Sequence, residues 1–380
     1  MPSTFDVVVV GGGIVGAACA AACARAGMRV ALVEREIIGG GATAAGMGHV
    51  VVMDDSGAQF ALTRHSQLLW SNLARQLPSS CEYETTGTLW VAADNEEMAE
   101  AERKLAYYRQ RDVPARLLSP SELAAEEPNL RPGLAGALLV AEDAIVYPPT
   151  VALHLAREAQ AHGATLVMGS KVIRAGHSCV QCEDGRELEA PRIVDATGAW
   201  ATDLHPAIPV RKRKGHLVIT DRYPGFARHQ LVELGYLKSA HTIGADSVAF
   251  NVQPRSTGQI LIGSSRQYGN EDTAVDQRTL TAMLARAIAY MPGIASLHAI
   301  RTWTGFRAAT PDKLPLIGPS IEDESVWLAT GHEGLGITTS LGTAALLAAA
   351  FTGHASPIPA EPYLPSRFAH HQEPLCNGQA

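Results

Sequence analysis

The chain has 380 residues, of which 46% are hydrophobic and only 18% charged, with 38 acidic against 31 basic side chains for a net charge of −7. At about 150 residues per domain, this length gives two or three domains. A charged fraction below the roughly 25% of an average domain excludes a disordered chain, a coiled coil and a basic nucleic-acid arm, and the acidic balance argues against grip on a phosphate backbone.

The run Val7–Ala24 carries no charge over 18 residues, the length of a short membrane span. Asp6 precedes it, no Lys or Arg opens it, and Gly11, Gly12 and Gly13 interrupt it, so it reads as strand, turn and helix. Val7–Val10 is β-branched throughout, as a strand covered on both faces requires. Gly11, Gly13 and Gly16 follow with the spacing G-x-G-x-x-G and lead into a helix to Arg25, closed by Gly27; Arg29–Val33 is a second strand ending at Glu34. The first glycine permits a tight turn, the second lets backbone approach a pyrophosphate, and the third lets helix and strand pack closely. The N–H groups at the helix start, at Ile14 and Val15, receive phosphate charge. Glu34, beside Arg35, accepts hydrogen bonds from ribose hydroxyls, and an acid there argues against a 2′-phosphate and so against NADP.

Next comes a second small-residue loop, Gly39 to Thr43 through Gly41 and Ala42, then Gly46-Met47-Gly48. A simple NAD enzyme has no need of it, whereas the ribityl chain and ring system of FAD must lie against bare backbone. Helices are expected over Gln59–Leu77 and 148–162, the latter opened by two prolines. Strands are expected at Gly87–Ala92, Leu166–Met168, Lys171–Arg174 (which includes Val172) and Ser247–Val252. Cys179 and Cys182 precede a hairpin turn at Asp184-Gly185, and no further ligands at zinc spacing accompany them. All six cysteines read as reduced thiols of a cytoplasmic protein. Ile193–Asp195 is a buried strand running into Thr197, Gly198 and Trp200. Leu280, Met283, Leu284, Ala287 and Ile288 have the spacing of one buried helix face. Gly331, His332, Gly334, Leu335 and Gly336 open an apolar helix over Ile337–Phe351, with Thr338 in its first turn. A helix start aimed at a flavin would stabilise the negative charge that gathers on reduction. The tail beyond Pro357 reads as frayed.

Residues 5–48, 193–200 and 303–342 together resemble the D-amino-acid oxidase and glycine oxidase family of FAD enzymes. Trp303-Thr304-Gly305-Phe306-Arg307-Ala308-Ala309-Thr310-Pro311-Asp312, with Pro315 and Gly318 beyond, is similar to that family's W-x-G-x-R-x-x-T-P-D-x-x-P-x-I-G signature. Arg213-Lys214-Gly215-His216-Leu217 and Gly235-Tyr236-Leu237-Lys238 are more similar to one branch: the flavin subunits of D-hydroxyproline dehydrogenase, opine oxidases and hydrogen cyanide synthase. The resemblance implies an α/β, Rossmann-like FAD domain of the glutathione-reductase type over 1–75, 145–205 and 306–380. This would be interleaved with a substrate domain on a mixed or antiparallel sheet over 76–144 and 206–305. FAD would be held non-covalently, since the cysteine that one branch places near Gly305 is lacking.

Amino-acid oxidation moves a hydride to flavin N5, and the protein supplies position and electrostatics, with no metal required. The resemblance assigns the substrate carboxylate to Arg307; the alternative is a structural Arg307 paired with Asp312. Glycine oxidase has a second arginine where this chain has Gly334, so anchoring from His49 or His332 is considered beside a structural role for each. Arg211, Lys212, Arg213 and Lys214, with His216, form the one basic cluster. It reads either as a solvated loop or, by the branch resemblance, as the grip on an FMN phosphate shared with a second subunit. The function expected is oxidation of a D-hydroxyproline-like amino or imino acid by the catalytic β-type subunit of a hetero-oligomeric dehydrogenase. The alternatives are a self-sufficient oxidase making hydrogen peroxide and a non-catalytic flavin-binding assembly subunit. Nucleic acid and membrane are not expected partners.

Overall fold

In the computed structural model, which describes residues 3–235 and 246–371, the uncharged run at the chain start becomes strand Val7–Val10 and helix Ile14–Arg25. Val7–Val10 is the centre of a six-stranded sheet. Its order is Leu316–Pro319, Val326–Thr330, Ile193–Asp195, Val7–Val10, Val30–Glu34 and Thr165–Met168. Only the Leu316–Pro319 edge is antiparallel. A strand buried on both faces has no room for alternation, which is why Val7–Val10 reads as four consecutive valines. Helix Ile14–Arg25 is rich in alanine and packs along helix Gly336–Thr352. Residues 333–352 are long and apolar enough to cross a membrane, with mean hydropathy 1.5, and 61% of that window is buried within the fold.

A four-stranded sheet joins Ser3–Thr4, Glu187–Glu189, Cys179–Cys182 and Val172–Gly176. The expected hairpin turn is there, with Gly185 at φ 83° and its N–H donating to the Cys182 carbonyl. Cys19, Cys23, Cys81, Cys179 and Cys182 are free thiols, while Cys376 and the motif residues Tyr236, Leu237 and Lys238 lie outside the described residues.

Contacts divide the chain into one unit of residues 1–40, 152–211 and 308–380 and a second of 41–151 and 212–307. The second is built on an eight-stranded mixed sheet. Its order is Ala299–Ala309, Arg211–Thr220, Ile260–Arg266, Ser247–Pro254, Gln230–Glu233, Thr88–Ala92, Gly136–Val140 and Ala115–Leu118. Gln230–Glu233 runs parallel to Thr88–Ala92, and every other pair from Arg211–Thr220 onward is antiparallel. One face packs helix Gln277–Tyr290 through Met283, Ala287 and Tyr290 onto Phe250, Val252 and Ile262. Phe250 stacks on Tyr290 with ring centroids 4.5 Å apart. Each large side chain buried there contributes about 2 kcal/mol.

The division falls between Gly40 and Gly41 rather than at residue 75. Helix Gly57–Ala74 explains this: Phe60 meets the Tyr107 ring edge-on at 5.3 Å, Arg64 pairs with Glu142 at 2.8 Å, and Gln67 donates to Asp143 at 2.9 Å. The described part of the tail, as far as His371, departs from expectation as well. Turns at Glu361–Tyr363 and Pro365–His371 pack Tyr363 to 1% exposure, and Arg367 pairs with Asp312 at 2.7 Å.

Candidate functional site

In the first unit the glycine spacing has a steric cause. Gly11 sits at φ 102°, and a Cβ on Gly16 would stand 1.9 Å from the Gly11 carbonyl oxygen. Gly13 caps helix Ile14–Arg25 with no side-chain hydrogen bond, and the first turn, with Ile14 and Val15, carries no acid. Such a start presents dipole and N–H groups to an anion. Glu34 ends its strand with Oε2 accepting from Gly12 N at 2.6 Å and Oε1 from Glu36 N at 2.8 Å. Each oxygen keeps a second lone pair for a hydroxyl donor. Arg35 lies 4.9 Å over the Trp200 ring. Thr197 donates through N and Oγ1 to Asp195, and the Gly198 carbonyl accepts from Thr330, so this turn is fixed from both sides. Val172 stands in the four-stranded sheet opposite Cys182.

Gly331 to Leu335 lead to a second helix start with no side-chain cap, at Gly336, Ile337 and Thr338. His332 is 7% exposed, its Nε2 is 2.9 Å from Thr343 Oγ1, and burial pushes its pKa down to about 4. It is a neutral core histidine that braces this helix, the structural one of the roles considered for it, and it carries no charge with which to anchor a carboxylate.

In the second unit the signature strand lies against the glycine loop. Trp303 Nε1 donates to the Ala45 carbonyl at 3.4 Å, and a Cβ on Gly305 would stand 2.3 Å from the Ala45 Cβ. Gly41, Ala42 and Thr43 form the short helix Gly41–Ala45, and Gly46, Met47 and Gly48 lead into strand His49–Val50. Arg307 Nη1 donates to the Ser265 carbonyl at 2.9 Å and fills the space over Gly215, where a Cβ would come within 2.4 Å of it. Asp312, the partner considered for a structural Arg307, pairs through both oxygens with Arg367. Burial first and the Arg307 charge second push the His49 pKa down to about 3. A neutral ring cannot supply the cation that Gly334 leaves out.

The basic cluster is neither a loop nor one phosphate grip. It opens strand Arg211–Thr220, where alternation sends neighbours to opposite faces. Lys212 pairs with Glu271 at 2.9 Å, the fully buried Lys214 with Asp272 at 2.8 Å, and Arg213 lies 4.7 Å over the Tyr268 ring. His216 is buried, with Nδ1 2.9 Å from Ser265 Oγ and Nε2 accepting from Asp276 N at 3.0 Å. Burial chiefly, with help from Lys214, lowers its pKa. Ser265, Asn251 and Gln253 were not foreseen from sequence. A polar residue on a strand reads as solvent-facing unless the opposite face is known to be covered, and the covering segment, Met47–His49, is 200 residues away in the chain.

A family model described as FAD dependent oxidoreductase (DAO) matches residues 6–350. The chain belongs to this family. The hydrogen cyanide synthase subunit HcnC of Pseudomonas aeruginosa is 29% identical over 97% of both chains. The glycine oxidase of the same species is 29% identical over 95% of this chain and 98% of its own. The crystal structure of glycine oxidase from Geobacillus kaustophilus superposes with a TM-score of 0.86 at 26% identity, covering 96% of this chain and 99% of that one. The residues fit the FAD of this family: the uncapped helix start at Gly13 suits a pyrophosphate, and Glu34 suits an adenosine ribose. This DAO-family chain is therefore an FAD-dependent oxidoreductase.

Proposed function

We propose that the chain oxidises a small amino or imino acid of the D-hydroxyproline kind to its imine, as the catalytic subunit of a hetero-oligomeric dehydrogenase in the reducing cytoplasm. The carrying observation is Arg307, a guanidinium fixed by the Ser265 carbonyl in a notch that only glycine at 215 leaves open, with the neutral His49 within its field. The carbonyl orients the fork, and a guanidinium fork matches a carboxylate in two-point geometry. Bound FAD supplies the acceptor for the hydride that leaves the amine-bearing carbon. Arg307 holds the carboxylate, and the neutral His49 adds no competing charge to its field.

Similarity to a protein named as a synthase subunit supports the hetero-oligomer, and the five free cysteines support the compartment. Equal identity to a glycine oxidase favours a second reading, a self-sufficient oxidase making hydrogen peroxide. Any FMN at a subunit boundary would draw on Arg211, since Lys212 and Lys214 are committed to acids.

Anaerobic bleaching of the flavin by D-hydroxyproline, D-amino acids, glycine, sarcosine and opines tests the reading, and no bleaching by any amine would leave a flavin-storage subunit. Peroxide yield from the purified single chain separates dehydrogenase from oxidase. Arg307→Lys is expected to raise KM for the active substrate at least tenfold, and an unchanged KM would remove Arg307 from the site.

A further inference from the structure

The face of the eight-stranded sheet away from helix Gln277–Tyr290 carries polar side chains whose acceptor oxygens find no donor among the described residues. Leu231 pairs with Val252 on the antiparallel neighbour, so the next rung sets Gln230 opposite Gln253. Both are buried, at 2% and 1% exposure. Asn251, two residues from Gln253 and so on the same face, lies opposite Gly263. A Cβ on Gly263 would meet Leu217 and, at 3.3 Å, Met47 Sδ. Leu217 in turn is two residues from Gly215, which holds Arg307. One continuous face therefore runs from the guanidinium across Gly263 to Asn251 and Gln253, under the segment that carries Met47 and His49.

The orientation of the Gln253 amide is fixed, because Nε2 donates to the Met47 carbonyl at 3.3 Å. That leaves Oε1 as an acceptor. It finds no donor among the described residues, and neither does Gln230 Oε1 or Asn251 Oδ1. Acceptors stripped of water and left without a donor destabilise a fold, and a native protein retains them where something else brings the hydrogen. A site built to pair with a substrate O–H or N–H also rejects the analogue lacking it far more strongly than an apolar pocket rejects a missing methylene.

We propose that Gln253, with Asn251 beside it, is the specificity-determining residue of this site, accepting a hydrogen bond from an O–H or N–H on the part of the substrate remote from the carboxylate. The enzyme thereby selects hydroxylated amino or imino acids over plain apolar ones. This rests on Arg307 as the carboxylate anchor.

Two carboxylates that cannot be oxidised as amines test it on the FAD-loaded protein, through the shift that binding causes in the flavin spectrum. 3-Hydroxycyclopentanecarboxylate, as separate cis and trans isomers, is compared with cyclopentanecarboxylate. One hydroxylated isomer is expected to bind at least tenfold more tightly, and Gln253→Met is expected to cut that advantage to threefold or less. Equal affinities in the unmodified protein overturn the proposal, as does a full advantage kept by Gln253→Met. Should Gln253→Met fail to hold FAD, the affinity ratio of the unmodified protein decides. Failure of 4-hydroxy-D-proline and D-proline alike to bleach the flavin sinks the amine-oxidation reading and leaves the ligand comparison standing.

Discussion

At the scale of single residues, Arg307 and Gly215 compete for one space. A methyl group at 215 would stand 2.4 Å from Arg307 Nη1, the mobile end of a long side chain, so the guanidinium yields and the strand does not. Gly215→Ala is expected to keep FAD and fold while raising KM at least tenfold, a split read by steady-state kinetics beside the flavin content. His332 shows a different economy. Its folded pKa of about 4 lies below the unfolded value near 6.5, so in that interval the unfolded chain binds more protons than the folded one. The stabilisation from its neutral ring is complete above pH 6.5 and is lost as the pH falls toward 4, to the extent of about 3 kcal/mol. Melting temperatures across pH 4–7 should fall on the acid side, and His332→Gln, which keeps a polar group near Thr343, should flatten that fall.

At the scale of elements, the turn between strand Val7–Val10 and helix Ile14–Arg25 depends on contact between backbones. Gly16→Ala would place a Cβ 1.9 Å from the Gly11 carbonyl, and neither partner is a side chain that can swing aside. The variant is expected to purify without yellow colour, and its melting temperature should not rise on adding FAD. Much of this was legible beforehand, because the glycine spacing, the apolar runs and the acid at the strand end are all local. The helices Gly57–Ala74, Pro148–Ala161, Gln277–Tyr290 and Gly336–Thr352 fall within a few residues of where periodicity set them. The basic cluster was misread for the opposite reason: four consecutive cations suggest solvent, and the acids that let Lys212 and Lys214 lie in a strand stand nearly sixty residues further on. The described part of the tail, as far as His371, misled in the same way, since its packing rests on Asp312 and Arg367, 55 residues apart. Of the candidate site, the signature arginine was legible; the acceptors that face its strand neighbours were not, because strand register is a tertiary fact.

At the scale of the whole chain, the two units alternate along the sequence, with divisions after residues 40, 151, 211 and 307. The cofactor motif of residues 11–34 therefore depends on strands and a helix that come some three hundred residues later. A chain ending at residue 307 keeps every member of the G-x-G-x-x-G turn and Glu34, yet it lacks strands Leu316–Pro319 and Val326–Thr330 and helix Gly336–Thr352. It is expected to retain no FAD after gel filtration.

The packing of helix Ile14–Arg25 along helix Gly336–Thr352 also sets a timetable for biosynthesis. While the ribosome is still reading the middle of the message, the alanine-rich helix has emerged without the neighbour that covers it. The second unit, whose last segment ends at residue 307, has all its strands before the first unit does. Flavin capture is thus expected only after residues 316–352 have been made, and until then the alanine-rich helix lacks the neighbour that covers it.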